Sequence, residues 1–462
     1  MARQQRKPST GFLTKLDSQW ISGIVLVVVL VAGILLVTFN RKPDTAGPTN
    51  TDQDSNAATS VSVQLPKTPV SVSTEQLRQE GDQVIAELLA QYPSAAAPRK
   101  IAARYAQDTR RFSEAGSHWQ EVLKFEPQSL EAHAALAGLA IKNGQPQEAV
   151  DRLLPRLRPQ SPHPQVYLQI IRGLQQAGQL DRAGQISAAA IEAFPQDSDL
   201  LQAAAEVNTQ SGALEVAKEQ FQKALELNPS NPSIHFRLAG VYRRLGMNEL
   251  ADEHQEKSKS LRPEVEVGEE AFELEYDRSL RDIVSVAMAR SADYYFDQND
   301  GASAEKLALR AASIYPQGVV AYQVLSRVYY GQGQYANAVV VHKRLTEIEP
   351  ANPVNFVNLS KLAFMAGDAA TGRSALLTAR QMAPDSALVA SALAAYHLEN
   401  GSFQEARSMA EESIRLKPTV TAYRVLSAAC AKLSDVEGQK AAESAALQLM
   451  KSISSNTDPQ AD

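Results

Sequence analysis

The chain has 462 residues, 21% of them charged and 6% aromatic, with a formal net charge of −6. The balance is uneven: residues 1–42 hold six Lys/Arg against one acid, so residues 43–462 carry about −11 and lack the basic stripe that nucleic-acid phosphates require. Cys430 is the only cysteine, which excludes an internal disulfide and a cysteine-built zinc site.

Residues 1–19 form a short basic segment. From Trp20 to Phe39 the chain is apolar apart from Ser22 and Thr38. At 1.5 Å per residue this run spans roughly 30 Å, the thickness of a bilayer hydrocarbon core, so a transmembrane helix is expected over 20–40. Val37-Thr38-Phe39-Asn40 offers no small-residue cleavage site, so the segment reads as an uncleaved anchor. Arg3, Arg6, Lys7 and Lys15 precede it, and only Arg41 and Lys42 come closely after it. That bias places the N-terminus in the cytoplasm and the rest outside it, in the periplasm of a bacterium. Residues 41–73 are rich in Pro, Ser, Thr, Asn, Gln and Asp and read as a flexible linker with a typical reach of roughly 30 Å.

Order resumes at Ser73-Thr74-Glu75-Gln76, a capping-box pattern that opens a lone helix. Beyond it, three ladders share one period. Pro195, Pro229 and Pro263 stand 34 residues apart, as do Pro316, Pro350, Pro384 and Pro418. Gly144, Gly178, Gly212 and Gly246 keep the same step, as do Gly333, Gly367 and Gly401. Ala149, Ala183, Ala217 and Ala251 keep it too, then Ala304, Ala338, Gly372 and Ala406. Helix-forming text between such marks describes a hairpin whose turn uses glycine, whose second helix ends at proline and whose helices meet closely at alanine. Neither helix buries its apolar stripe alone, so neighbouring hairpins must do it.

Over roughly positions 94–450 the residues resemble tetratricopeptide repeats. The fifth repeat carries Leu238, Tyr242, Gly246, Ala251 and Pro263 at the family's places, and the seventh carries Leu325, Tyr329, Gly333, Ala338 and Pro350. The ninth keeps Leu393, Gly401, Ala406 and Pro418, and the family's early tryptophan is absent throughout. Pro159 comes two residues early, which predicts an irregular end to the second repeat. The resemblance implies an all-α fold: a right-handed α-solenoid of about ten hairpins, behind one N-terminal transmembrane helix. The array divides into 74–263 and 282–451, with a polar tail at 452–462.

Between them, 264–281 breaks the ladder. Residues 264–277 hold seven acids and no base, and Phe272, Leu274 and Tyr276 alternate with Glu273, Glu275 and Asp277. Period-two alternation predicts an extended strand, either a solvated linker between two stacks or a strap offered to a groove or partner.

No residues announce catalysis. None of the seven histidines forms a metal-ligand spacing, and no nucleophile elbow or Walker lysine is present. Gly331-Gln-Gly333-Gln comes after a helix and belongs to an ordinary hairpin turn. The resemblance implies instead that side chains of each first helix line a concave groove. Carried over, these include Arg172, Arg243, Arg327, Tyr330, Lys361 and Phe364, a basic and aromatic strip suited to an extended acidic or C-terminal peptide. The expectation is a non-enzymatic, membrane-tethered scaffold for proteins or extended peptides, akin to an envelope assembly or chaperone-like factor. No cofactor, metal, nucleic-acid or small-molecule partner is expected. A cytoplasm-facing adaptor and a subunit of a membrane enzyme complex are the alternatives.

Overall fold

The computed structural model describes residues 63–157, 163–261 and 269–457. The anchor expected at 20–40 and most of the linker before it reaches Val63 lie outside them. Among the described residues no helix is long and apolar enough to cross a membrane.

The described residues are helical with no strand. Helix α1 (Thr74–Gln91) opens with the expected capping box, Ser73 accepting from Gln76 N–H while the Gln76 side chain accepts from Ser73 N–H. Five hairpins come next: α2 (Ala96–Asp108) with α3 (Phe112–Phe125), α4 (Leu130–Lys142) with α5 (Pro146–Leu153), α6 (Pro164–Gln176) with α7 (Leu180–Ala193), α8 (Ser198–Ser211) with α9 (Leu214–Leu227), and α10 (Pro232–Arg244) with α11 (Asn248–Ser260). Then come α12 (Glu269–Asp297) with α13 (Gly301–Ile314), α14 (Val319–Gly331) with α15 (Tyr335–Ile348), α16 (Pro353–Met365) with α17 (Ala369–Met382), α18 (Ala387–Glu399) with α19 (Phe403–Leu416), and α20 (Val420–Lys432) with α21 (Val436–Thr457). The second repeat ends irregularly, in keeping with Pro159: α5 is eight residues long and passes into a 3₁₀ turn over Leu154–Arg156. The last helix continues to Thr457, so the tail expected from 452 is helical over its first residues.

Each turn contains one residue in the left-handed region. Seven are the ladder glycines, with φ between 72° and 86°; Arg110, Asn299 and Ser434 fill the same place at 62°, 63° and 61°. At Gly144 the turn closes by Gly144 N–H to Ile141 C=O at 3.1 Å and Gln145 N–H to Ala140 C=O at 2.8 Å, which satisfies carbonyls the helix end would orphan. The ladder alanines are fully buried where helices meet, so a larger side chain there would overpack the contact.

The described residues form two compact units, one over Pro66–Ala321 and one built on Tyr322 and the described residues after it, together with residues 63–65. The division falls inside α14, not in the insert. In the first unit, hairpin stacking keeps chain order from α2 to α11. Helix α12 then packs against α1, α2 and α13. Its 29 residues run parallel to α1. Arg78 donates to the Tyr276 hydroxyl near one end, and Tyr92 meets Tyr294 and Tyr295 edge-on at 5.0 and 6.0 Å near the other. The sixth hairpin thus covers the first, with α1 beside it.

This corrects two expectations. From Glu269 the insert is helix, not strand. A short alternating run cannot set a period when it extends a helix whose partner lies some two hundred positions away. Leu274 stays 72% exposed, so it is not laid on a neighbouring helix. The end of the linker is also fixed rather than flexible. In the first unit Val70 N–H donates to Ser313 C=O at 2.9 Å, and the Arg281 guanidinium donates to the carbonyls of Val70 and Val72 at 3.0 and 3.1 Å. Asp277 holds that guanidinium at 2.6 Å. Glu80 accepts both arms of Arg310 at 3.0 and 2.6 Å. In the second unit Val63 N–H donates to Asn337 Oδ1 at 3.2 Å.

Candidate functional site

The six side chains expected to line one groove divide between the two units. In the first, Arg172 is exposed and makes no hydrogen bond or ion pair among the described residues. Arg243 turns to the second helix of its own hairpin, donating to Gln255 at 2.6 Å with Asp252 at 3.5 Å. It is therefore occupied within its repeat. Nearby cations of the same unit are neutralised locally. Arg104 donates its Nε to Glu131 at 2.9 Å, and Arg237 pairs with Glu206 at 2.8 Å.

The second unit gathers the other four. Arg327 and Tyr330 are partly buried on α14, and Tyr330 meets Tyr335 with ring centroids 5.9 Å apart. Burial raises the Tyr330 hydroxyl above its ordinary pKa. One repeat on, α16 presents Lys361 and, three residues later, Phe364. Lys361 is crowded by protein although part of its surface meets solvent, and it has no hydrogen bond or ion pair among the described residues. Burial alone pulls its ammonium down to about 8. An ammonium so placed loses water without gaining an anion.

Phe364 stacks on Tyr396 of α18, centroids 5.3 Å apart and planes 24° from parallel. Gly372 makes the room. A Cβ built there would lie 2.7 Å from the Phe364 ring, so the single departure from the alanine ladder is the position over which this ring rests. Phe364 and Tyr396 wall a cleft of about 490 Å³ with Arg373, Glu399 and Asn400. Arg373 is exposed and unpaired among the described residues, and burial raises the Glu399 carboxyl above its usual range. Sequence reasoning missed Tyr396, Arg373 and Glu399, which lie off the positions carried over. Only Gly372, out of step in its ladder, signalled them.

Among the described residues there is no group of three or more His, Cys, Asp or Glu placed to hold a metal ion. Two histidines do meet. The Nδ1 atoms of His235 and His254 lie 3.0 Å apart, and His235 Nε2 donates to Pro229 C=O at 3.1 Å. His235 is buried, and each ring satisfies the other. Cys430 is a buried thiol whose pKa burial raises, as expected of a packing residue.

Hairpins of this spacing match family models described as tetratricopeptide repeats over residues 102–162 and 357–421, over 206–246, and over 232–265. This is a tetratricopeptide repeat protein. No curated protein matches the chain. Among solved structures, MamA from Desulfovibrio magneticus RS-1 is 22% identical over 36% of this chain and 94% of its own, with a TM-score of 0.32. The Cut9–Hcn1 hetero-tetramer of the APC/C is 11% identical over 82% of this chain and 90% of its own, with a TM-score of 0.33. A human IFIT1 dimer with m7Gppp-AAAA is 13% identical over 82% and 96%, with a TM-score of 0.27. The tetratricopeptide hairpins place Lys361, Phe364 and Tyr396 on successive first helices, the elements from which the family's grooves are built.

Proposed function

We propose that this protein is a membrane-tethered scaffold that captures segments of other proteins on the concave side of its repeats. The observation that carries the reading is the Phe364–Tyr396 stack over Gly372, an open aromatic cleft bordered by unpaired charge. Such a surface fits a partner's side chains and leaves no enclosed chamber for turnover. The acidic body supports protein partners rather than nucleic acid. The apolar run 20–40 supports the tether, and its Lys/Arg bias supports repeats facing away from the cytoplasm, as in an envelope assembly or chaperone-like factor.

Two experiments test this. Protease added to cells stripped of any outer layer but with the inner membrane intact reads orientation. Digestion of a C-terminal tag is expected, and a tag protected until that membrane is breached reverses the orientation. A photo-crosslinker at Asn400 captures partners in the native cell; the adducts disappear in Phe364→Ala/Tyr396→Ala. Adducts unchanged in that double variant refute the groove assignment.

A further inference from the structure

Resting on the groove reading, we infer that the concave face of the second unit recognises a carboxylate set beside an aromatic side chain: an extended acidic–aromatic segment of a partner protein, with Lys361 as the carboxylate's receptor and the Phe364–Tyr396 stack as the seat of the ring.

Register carries the argument. Lys361 is the ninth residue of α16, and Arg104 is the ninth of α2. Arg104 finds its acid at the second residue of the next first helix, Glu131. The equivalent residue beside Lys361 is Leu388, which is apolar and partly buried. The partner that the fold supplies to Arg104 is thus replaced here by a hydrocarbon. What remains is a partly desolvated cation with no counter-charge among the described residues, and a single anion delivered from outside would offset that loss. Arg172 has the same register and no partner among the described residues either, but it lies in open solvent and needs none. Burial, not the lack of a partner alone, singles out Lys361.

The second half of the ligand comes from Phe364. Three residues along a helix advance about 4.5 Å, and same-face side chains of an extended peptide lie about 6.6–6.8 Å apart, a difference of about 2 Å that the flexible four-carbon stem of a lysine can span. A ring laid against the Phe364–Tyr396 stack therefore places a nearby carboxylate at Lys361. Arg373, exposed at the cleft's far wall, adds positive potential. Glu399 is the one acid among the residues lining the cleft, and burial raises its carboxyl above the usual range.

The test uses the full chain and three fluorescein-labelled peptides, the Asp/Phe, Asn/Phe and Asp/Ala peptides, built as repeats of Asp-Ser-Phe-Ser, Asn-Ser-Phe-Ser and Asp-Ser-Ala-Ser so that the paired side chains stand two residues apart on one face of an extended chain. The Asp/Phe peptide is expected to bind best, each of the others at least about tenfold more weakly. Lys361→Met is expected to weaken Asp/Phe binding by about tenfold or more without lowering the melting temperature, because it removes an uncompensated buried charge. Wild-type binding should weaken as pH rises past about 8, whereas Lys361→Arg, which does not titrate there, should bind across that range. Equal binding of the Asn/Phe and Asp/Phe peptides, normal binding by Lys361→Met, or no binding of Asp/Phe overturns the inference. Partner crosslinks at Asn400 that still depend on Phe364 and Tyr396 would in that event leave the scaffold reading standing; crosslinks that do not would remove both.

Discussion

Replacing His342 by leucine should flatten the protein's loss of stability in mild acid. His342 lies on α15, fully enclosed, and neither ring nitrogen has a hydrogen-bond partner among the described residues. Burial pulls its pKa from 6.5 down to about 4. In the unfolded chain the ring takes up a proton as pH falls through its ordinary value, while in the folded chain it stays neutral. The unfolded state therefore binds more protons between about pH 6.5 and about pH 4, and stability falls as pH falls through that window. Above the window the full contribution is present; below it both states are protonated and the loss stops growing. At 1.36 kcal/mol per pKa unit, this histidine alone removes roughly 2–3 kcal/mol between about pH 7.5 and about pH 4.5. Leucine carries no proton and no orphaned nitrogen, so the variant should also gain about 1 kcal/mol or more at neutral pH. Urea unfolding of wild type and His342→Leu, tracked by circular dichroism across this range, measures the difference directly. Two stability curves that run parallel in pH would show that His342 is hydrated or hydrogen-bonded in the folded protein, and the reasoning would fail.

Three further outcomes are expected. Gly372→Ala forces a methyl to 2.7 Å from the Phe364 ring; it should cost about 1–3 kcal/mol and abolish crosslinking from Asn400, and wild-type crosslinking would show that the ring has another seat. Arg281→Met removes the donor that holds the Val70 and Val72 carbonyls, so trypsin should cut at Lys67 at least about tenfold faster, while an unchanged rate would mean that Val70 N–H to Ser313 suffices. Arg110→Gly should raise stability by up to about 1 kcal/mol, because an arginine held at φ 62° is strained and a glycine is not; a lower melting temperature would mean that the arginine's lost contacts outweigh the strain.

The hairpins were legible because each repeat states its own punctuation. Glycine at the turn, proline after the second helix and alanine at the closest approach are local demands, and the same residue types recur wherever the demand recurs. The turns at Arg110, Asn299 and Ser434 were harder to read, since a non-glycine residue meets the same φ there and leaves no ladder mark. The extended strand expected over residues 264–277 gave way to helix from Glu269 for a different reason. Its alternation is real in the text, but the conformation is decided by Tyr276 meeting Arg78 and by Arg281 holding the Val70 and Val72 carbonyls across the first unit, and no local period encodes such meetings. The candidate site was half legible. Lys361 and Phe364 fall on a face the repeat register defines, whereas Tyr396 joins them only because Gly372 lets a ring lie flat.

A repeat array obeys nearest-neighbour energetics: each hairpin needs a face to cover, and the sequence does not say whose. The first hairpin, α2 with α3, would be left with one uncovered side by any stack that merely started there. Helix α1 is too short and too polar to close that side alone, with four of its residues buried, Gly81 among them. The sixth hairpin completes the closure. Helix α12 is longer than the first helix of any other hairpin because its N-terminal extension must also reach α1, where Arg78 and Tyr276 meet. Tyr105 fits into the same junction, against a Gly81 whose Cβ would lie 2.3 Å from the phenol oxygen. The 19 residues by which the proline ladder slips between Pro263 and Pro316 thus contain the extra helical turns needed to cap the head of the stack. The segment entering at Pro66 is held by the same elements, through Arg281 of α12 and Ser313 of α13. Within the first unit the segment from Pro66 to Val72 is therefore held by the sixth hairpin, and the interrupted period is what supplies that hold.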